Sequence, residues 1–275
     1  MTLTQTLDAD RARGVHAVQA ALDAGVTLFD TADSYGPTSE MGVNEQALVA
    51  ALRTRPEALA RVIIATKGGH TRGPHATWWI DGSPEHLAQA ARNSLRRIGL
   101  EALPLYQHHR PDPRVPYADS MGALRQLVEE GIALRIGVSN VDETLLRIAI
   151  DVLGDALVSV QNEYSPLERS SDPVLRMCEE HGLAFLAWGP FGGMRAAKGL
   201  GEAAPVFARV AERHGVSVQR VALAWLLSLS PRMIALPGAS RPESVRDSAQ
   251  ATALALDEGD LVELAESSFA RGGDR

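Results

Sequence analysis

Cysteine is nearly absent from this 275-residue chain, and Cys178 stands alone. A disulfide within the chain is therefore excluded, and a reducing cytoplasm is the expected compartment. Cys178 lies in the helical stretch LRMCEEHG and reads as a small buried apolar residue rather than a nucleophile. Long apolar runs are missing too. The longest, VALAWLLSL from Val221, falls well short of the ~20 residues of a membrane span and reads as a buried helix. The opening MTLTQTLDADR lacks the apolar core of a signal peptide. Positive charge is not in excess. The formal net charge of −7 argues against nonspecific nucleic-acid binding, while leaving room for a local phosphate pocket. No GxGxxG follows an early strand, and GPFGG and KGLG between Gly189 and Gly201 fit neither that motif nor GxxxxGK[ST]. There is no linker, composition break or sequence repeat. One domain over residues 1–275 is expected, since an α/β barrel commonly takes about 250 residues.

What is present is an alternation of two kinds of segment. Short β-rich runs are VTLFD (26–30), RVIIAT (61–66), PLYQH (104–108), LRIGV (134–138), LVSVQ (157–161), AFLAW (184–188) and MIAL (233–236). Their apolar residues are mostly uninterrupted, as suits strands buried on both faces of a parallel sheet. Helical stretches lie between them. RGVHAVQAALDAG (13–25) closes on Gly25, and Ser83-Pro84 and Asp172-Pro173 read as N-cap followed by first-turn proline. Val221–Leu229 reads as another helix, and a last helix follows Asp257. The pattern predicts an α/β fold with a parallel sheet, a (β/α)₈ barrel rather than an open doubly wound sheet. Seven strand candidates are visible where a closed barrel has eight, so the first strand is expected to be short or missing, with MTLT as at most its tail.

In such barrels the chemistry sits at the C-terminal ends of the strands. Asp30 closes the first run, with Tyr35 in the loop beyond it. Lys67 and His109 follow the next two, Ser139 and Asn140 the fourth, and Gln161 and Trp188 end the fifth and sixth. Taken singly, each reads more readily as a cap, a packed ring, a solvated strand end or a structural histidine than as a functional group. Together they bring an acid, a phenol, an ammonium and an imidazole to one barrel mouth. Carbonyl reduction needs a hydride on carbon and a proton on oxygen. A tyrosine is a poor acid at its ordinary pKa of about 10, and a nearby lysine is expected to lower it. A carboxylate would hold the lysine, and a histidine could donate to the carbonyl oxygen. The hydride has to come from a cofactor.

VTLFDTADSYG (26–36), VIIATKGG (62–69) and LYQHHRPDP (105–113) carry these residues, and in them the chain resembles the aldo-keto reductase family over nearly its whole length. The resemblance implies a barrel enzyme with Asp30, Tyr35, Lys67 and His109 as catalytic residues and NADPH as cofactor. GVSN (137–140) and VQNEYSPLER (160–169) are similar to the segments that bind the nicotinamide carboxamide, here through Ser139, Asn140 and Gln161. In AWGPFGGM (187–194) Trp188 stands where the family usually has a tyrosine stacked on the nicotinamide ring. The backbone from Gly189 through Pro190, Phe191 and Gly192 would approach the pyrophosphate. LPGASRPESVRDSAQ (236–250) looks like the segment for the adenosine 2′-phosphate, with Gly238, Ser240 and Arg241 as donors and Asp247 near the adenine. Ser248 replaces a common asparagine there. Family members usually begin with a floor-capping hairpin and a glycine-rich first strand, which MTLTQTLDADR does not supply.

The expected function is reduction of a small-molecule aldehyde or ketone, with no membrane or nucleic-acid partner. One alternative is a regulatory or partner subunit of the same fold that binds NADPH with little turnover. Another is a metal-dependent hydrolase using His108, His109 and Asp112. Adjacent strand residues point to opposite faces, which disfavours that metal site. Specificity is expected from loops 70–82, 110–117 and 189–201, with Trp78, Trp79 and Ile80 as an apolar wall.

Overall fold

The computed structural model describes residues 3–4, 11–193 and 196–269. Strands β1 (Leu28–Asp30), β2 (Ile63–Gly68), β3 (His70–Arg72), β4 (Trp78–Ile80), β5 (Leu105–His108), β6 (Ile136–Ser139), β7 (Leu157–Glu163), β8 (Ala184–Trp188) and β9 (Met233–Leu236) follow in chain order. Seven of them form one parallel sheet in the order β1-β2-β5-β6-β7-β8-β9. The sheet curls into a nearly closed barrel. The uninterrupted apolar runs have the expected cause: β5 and β6 are buried at every position, against the barrel interior on one face and helices on the other.

The helices are α1 (Arg11–Asp23), α2 (Val43–Leu52), the short α3 (Pro56–Leu59), α4 (Pro84–Ile98), α5 (Tyr117–Glu129), α6 (Glu143–Leu153) and α7 (Asp172–His181). After these come the short α8 (Leu200–Ala203), then α9 (Pro205–His214), α10 (Val218–Leu229), α11 (Pro242–Ala249) and α12 (Glu258–Phe269). Their starts follow local chemistry. Ser83 accepts from the His86 amide at 3.4 Å ahead of Pro84, and Ser217 accepts from the Arg220 amide at 3.0 Å. Asp257 and Asp260 cap each other's backbone N–H at the start of α12. α7 departs from expectation. Ser171 precedes it without a side-chain cap, and Asp172 lies in its first turn, where its carboxylate takes Tyr164 Oη and Arg169. No helix among the described residues is long and apolar enough to cross a membrane.

Two further findings modify the sequence reading. Residues 70–80, expected as loop, fold as an antiparallel hairpin of β3 on β4. At the N-terminus, Leu3 and Thr4 are not in a strand. Leu3 packs against Gly14 of α1, and Thr4 Oγ1 accepts from Asn44 at 2.9 Å. Residues 1–2 and 5–10 lie outside the described residues. Among those described, no strand precedes α1. β1 and β9 therefore end the sheet on either side of a seam, which α1 and α11 cover by packing on each other.

A buried charged tie fixes α2 against the sheet. Glu45 Oε1 accepts from Thr66 of β2 at 2.5 Å, and Oε2 pairs with Arg97 of α4 at 2.7 Å. Gly42, just before α2, has φ +84°, and a Cβ there would lie 2.2 Å from Arg97 Nε. Only glycine fits that approach. Asn44 accepts from Thr31 Oγ1 at 2.8 Å, and the Gly42 amide donates to the Asp33 carbonyl. The loop between β1 and α2, which carries Tyr35, is held at both ends. Glu45→Ala would leave Arg97 without its carboxylate, and should lower unfolding free energy by roughly 3–5 kcal/mol in a urea titration. Replacing the pair together, Glu45→Leu with Arg97→Met, should cost less than Glu45→Ala alone. A single variant as stable as the parent would show that the pair does not secure α2.

Candidate active site

Strand alternation sorts neighbours onto opposite faces. In β2, Thr66 turns outward to Glu45 while Lys67 turns inward. Lys67 is fully buried, and its ammonium donates to Asp30 Oδ2 at 2.6 Å, the Thr31 carbonyl at 2.8 Å and Tyr35 Oη at 3.1 Å. Burial alone would favour the neutral amine. Asp30 and Tyr35 outweigh it and hold the group above its usual 10.5. Asp30 Oδ1 accepts from Gln107 at 3.1 Å and from Gln161 at 2.9 Å.

Gln107 belongs to this network and was not singled out from the sequence, although a polar residue inside the buried run LYQH was the available signal. Its place depends on Gly137 in the neighbouring strand β6. A Cβ there would lie 2.5 Å from Ser159 Oγ and 2.9 Å from Gln107 Cγ.

Tyr35 meets His109 edge-on, with ring centroids 5.6 Å apart at 79°. The expected lowering of the phenol by Lys67 is present but is not the larger effect. Burial dominates, and with Asp30 adding to it the phenol is held above 10 and protonated. His109 is 8% exposed, and its Nδ1 is buried without a hydrogen-bond partner. Burial, with Lys67 and His70, holds its imidazole well below 6.5, so the ring is neutral.

His108 turns the other way and packs on Tyr117 at 5.5 Å between centroids, where burial pushes it down to about 4. Asp112 accepts from the Gly82 amide at 3.1 Å and pairs with Arg114 at 2.9 Å. The three residues of the metal reading therefore do not converge. Among the described residues no His, Cys, Asp or Glu group is arranged to hold a metal. Cys178 is buried, which raises its thiol to about 12.

The next strand ends meet beside this network. Ser139 Oγ donates to the Gln161 carbonyl at 2.6 Å, and Asn140, at φ +59°, donates to the His109 carbonyl at 2.9 Å. A cleft of about 760 Å³ opens from Asp30 and Tyr35 and takes in Gln161, Trp188, Gly189, Pro190 and Phe191, then Gly238 and Ser240. It also includes Leu28 of β1 and Met233 of β9, so it lies over the seam. Trp188 Nε1 is buried without a partner. Gly189 and Gly192 have φ +64° and +78°, and the Gly192 amide closes a turn on the Gly189 carbonyl at 2.8 Å.

Arg241 is exposed at the start of α11, and its guanidinium donates to Ser244 at 3.4 Å. Asp247 is not brought to the cleft. Its carboxylate accepts from Ser217 at 2.5 Å and pairs with Arg220 at 2.6 Å, tying α11 to α10. Ser248 and Thr252 line the cleft in its place.

Comparison with known proteins points the same way. A sequence profile described as the aldo/keto reductase family matches residues 1–268. The chain is 31% identical over 261 residues to a pyridoxine 4-dehydrogenase of Escherichia coli, covering 93% of this chain and 86% of that one. Among solved structures it resembles an aldo/keto reductase from Klebsiella pneumoniae in complex with NADP and acetate. That match has a TM-score of 0.78 and 27% identity, and covers 95% of this chain and 87% of the other. The glycerol dehydrogenase of Gluconobacter oxydans superposes with a TM-score of 0.81 at 25% identity, over 97% and 88% of the two chains. A match along almost the whole sequence, with relatives that run nearly end to end beside it, makes this chain a member of the aldo/keto reductase family.

Proposed function

We propose that this oxidoreductase reduces an aldehyde or ketone to the alcohol with NADPH, and that Tyr35 is the general acid. The observation that carries the reading is the state of Lys67. Its three N–H groups are committed to Asp30, Thr31 and Tyr35, so the phenol oxygen is an acceptor and its own O–H is left to point elsewhere. Beside it stands a neutral imidazole with a buried nitrogen lacking a partner. A carbonyl oxygen there would take a proton from Tyr35 and a hydrogen bond from His109 as its negative charge grows. Lys67 touches the acid directly and its charge stabilises the phenolate left behind, while Asp30 holds that ammonium in place.

The cleft residues fit the cofactor. Gln161 in the cleft, with Ser139 and Asn140 bonded beside it at the neighbouring strand end, carries amide and hydroxyl groups suited to a carboxamide. Trp188 offers an aromatic face, and its buried Nε1 lacks a partner. The positive-φ glycines Gly189 and Gly192, around Pro190 and Phe191, let phosphate approach the backbone closely. Gly238, Ser240 and Arg241, which makes no ion pair among the described residues, suit a 2′-phosphate. The adenine contact expected of Asp247 passes to Ser248 and Thr252. When bound, NADPH supplies the hydride to the carbonyl carbon. The first test is quenching of tryptophan fluorescence by NADPH, followed by turnover of a carbonyl panel. Tight binding without turnover of any carbonyl would favour the regulatory-subunit alternative.

Tyr35→Phe keeps the ring and removes the proton. Turnover should fall by roughly 10²–10⁴-fold while cofactor quenching persists, and near-normal turnover would refute the acid assignment. Reduction requires the protonated phenol, and burial raises its pKa. The parent enzyme should therefore hold its rate through neutral pH and lose it only above 10. A loss beginning near neutrality would contradict that. Arg241→Ala should weaken NADPH selectively over NADH, measured as the ratio of dissociation constants; equal losses for both would remove Arg241 from the phosphate site.

A further inference from the structure

The hairpin that the sequence reading missed changes what stands next to His109. β3 brings His70 edge-on to His109, with centroids 5.0 Å apart at 87°, and His70 stacks on Trp78 of β4 at 4.4 Å. The Arg72 guanidinium lies 4.0 Å from the Trp78 ring centroid and donates to the carbonyls of Gly36 and Thr38, not to a carboxylate. Arg110 directly follows His109 in the chain. It lies within electrostatic reach of His70, of His109 and of Glu163 at the end of β7. Its Nε–H is buried and has no hydrogen-bond partner.

Other half-buried arginines of this protein are neutralised, as Arg97 is by Glu45, Arg169 by Asp172 and Arg220 by Asp247. Arg72 and Arg110 make no ion pair among the described residues. Glu163, a carboxylate within reach of Arg110, is itself held above its ordinary range by burial and by Glu168. His70 reports the resulting field: burial, with Arg110 and Arg72, pushes its imidazole down to about 4. A guanidinium with a buried, unmatched N–H beside a hydride-acceptor site calls for an anion.

We propose that the substrate of this enzyme carries a second, anionic group, a carboxylate or a phosphate, and that Arg110 binds it in front of the Arg72–Trp78–His70 stack. The proposal rests on the carbonyl-reductase reading above. Arg110 acts electrostatically on both His109 and His70, so an anion on Arg110 and a carbonyl oxygen on His109 would belong to one small molecule. Arg110 thus distinguishes substrates by a group remote from the reacting carbon, and binding energy gained there orients the carbonyl.

A charge series tests this. Initial rates with NADPH are measured for succinic semialdehyde, butanal and 4-(trimethylammonio)butanal, and for glyceraldehyde 3-phosphate against glyceraldehyde. The expected order of kcat/KM is anionic, then neutral, then cationic. The anion should lead its neutral partner by about tenfold or more, mainly through KM, and the lead should shrink as salt is added. Preference in the carboxylate arm or the phosphate arm identifies which anion is used. Arg110→Gln should collapse the ratio of anionic to neutral kcat/KM, and Arg110→Glu should invert it, with circular dichroism checking the fold. Where neither variant folds, the parent charge series and its salt dependence decide. Turnover of neutral aldehydes with no preference for anions would overturn the proposal, as would an unchanged ratio in Arg110→Gln. No turnover of any carbonyl would instead sink the reductase reading, and this inference with it.

Discussion

A primary ammonium cannot be buried unless all three of its N–H bonds find acceptors, and Lys67 has no solvent to supply them. Its acceptors are a carboxylate at the end of β1, a carbonyl one residue later and a phenol in the following loop. Much of the local architecture follows. Asp30 must sit in register beside β2, which the parallel pairing of β1 with β2 provides. The loop must return Tyr35 over the barrel, which Gly42, Asn44 and the Glu45–Arg97 pair secure from outside. Asp30's other oxygen is then claimed by Gln107 and Gln161, so one buried cation organises polar residues from three other strands.

The balance at Tyr35 shows why a neighbour's charge does not by itself fix a pKa. The ammonium lowers the phenol's pKa, but Asp30 partly cancels that charge and burial penalises the phenolate more. The resting group is therefore a neutral acid. In a reductase, the oxygen to be protonated gains charge only as hydride arrives, so an acid that keeps its proton until then is the useful form.

The strand cores were legible because burial on both faces leaves an unbroken apolar run, and AFLAW and MIAL carry the observed bounds. Asp30, Lys67 and His109 were legible because each polar residue falls where such a run ends. Tyr35 was legible only as a phenol in the loop just beyond Asp30, and its role was implied by the family resemblance. What failed to show depended on partners distant in sequence. Nothing local in HTRGPHATWWI announces that His70 will stack on Trp78, because short strands without alternation carry no periodic signal. Asp247 sits in a segment that looks like a nucleotide site, yet Arg220, in another helix, claims it. Asp172 beside a proline resembles a cap, but Tyr164 competes for its oxygen and the helix starts one residue earlier in role.

The seam gives the barrel a mechanical asymmetry. A hoop of strands hydrogen-bonded all the way round cannot widen without breaking backbone bonds. Among the described residues this hoop stops at β1 on one side and β9 on the other. Across the gap the restoring force comes from side chains of α1 against α11, which is softer and acts over a longer range of displacement. The cleft that takes in Leu28 and Met233 lies along that compliant line, while Lys67, Gln107 and Gln161 sit on the stiff arc of paired strands. The cleft wall at Leu28 and Met233 and the ammonium of Lys67 thus sit under different mechanical constraint, the first across the gap and the second within the paired strands.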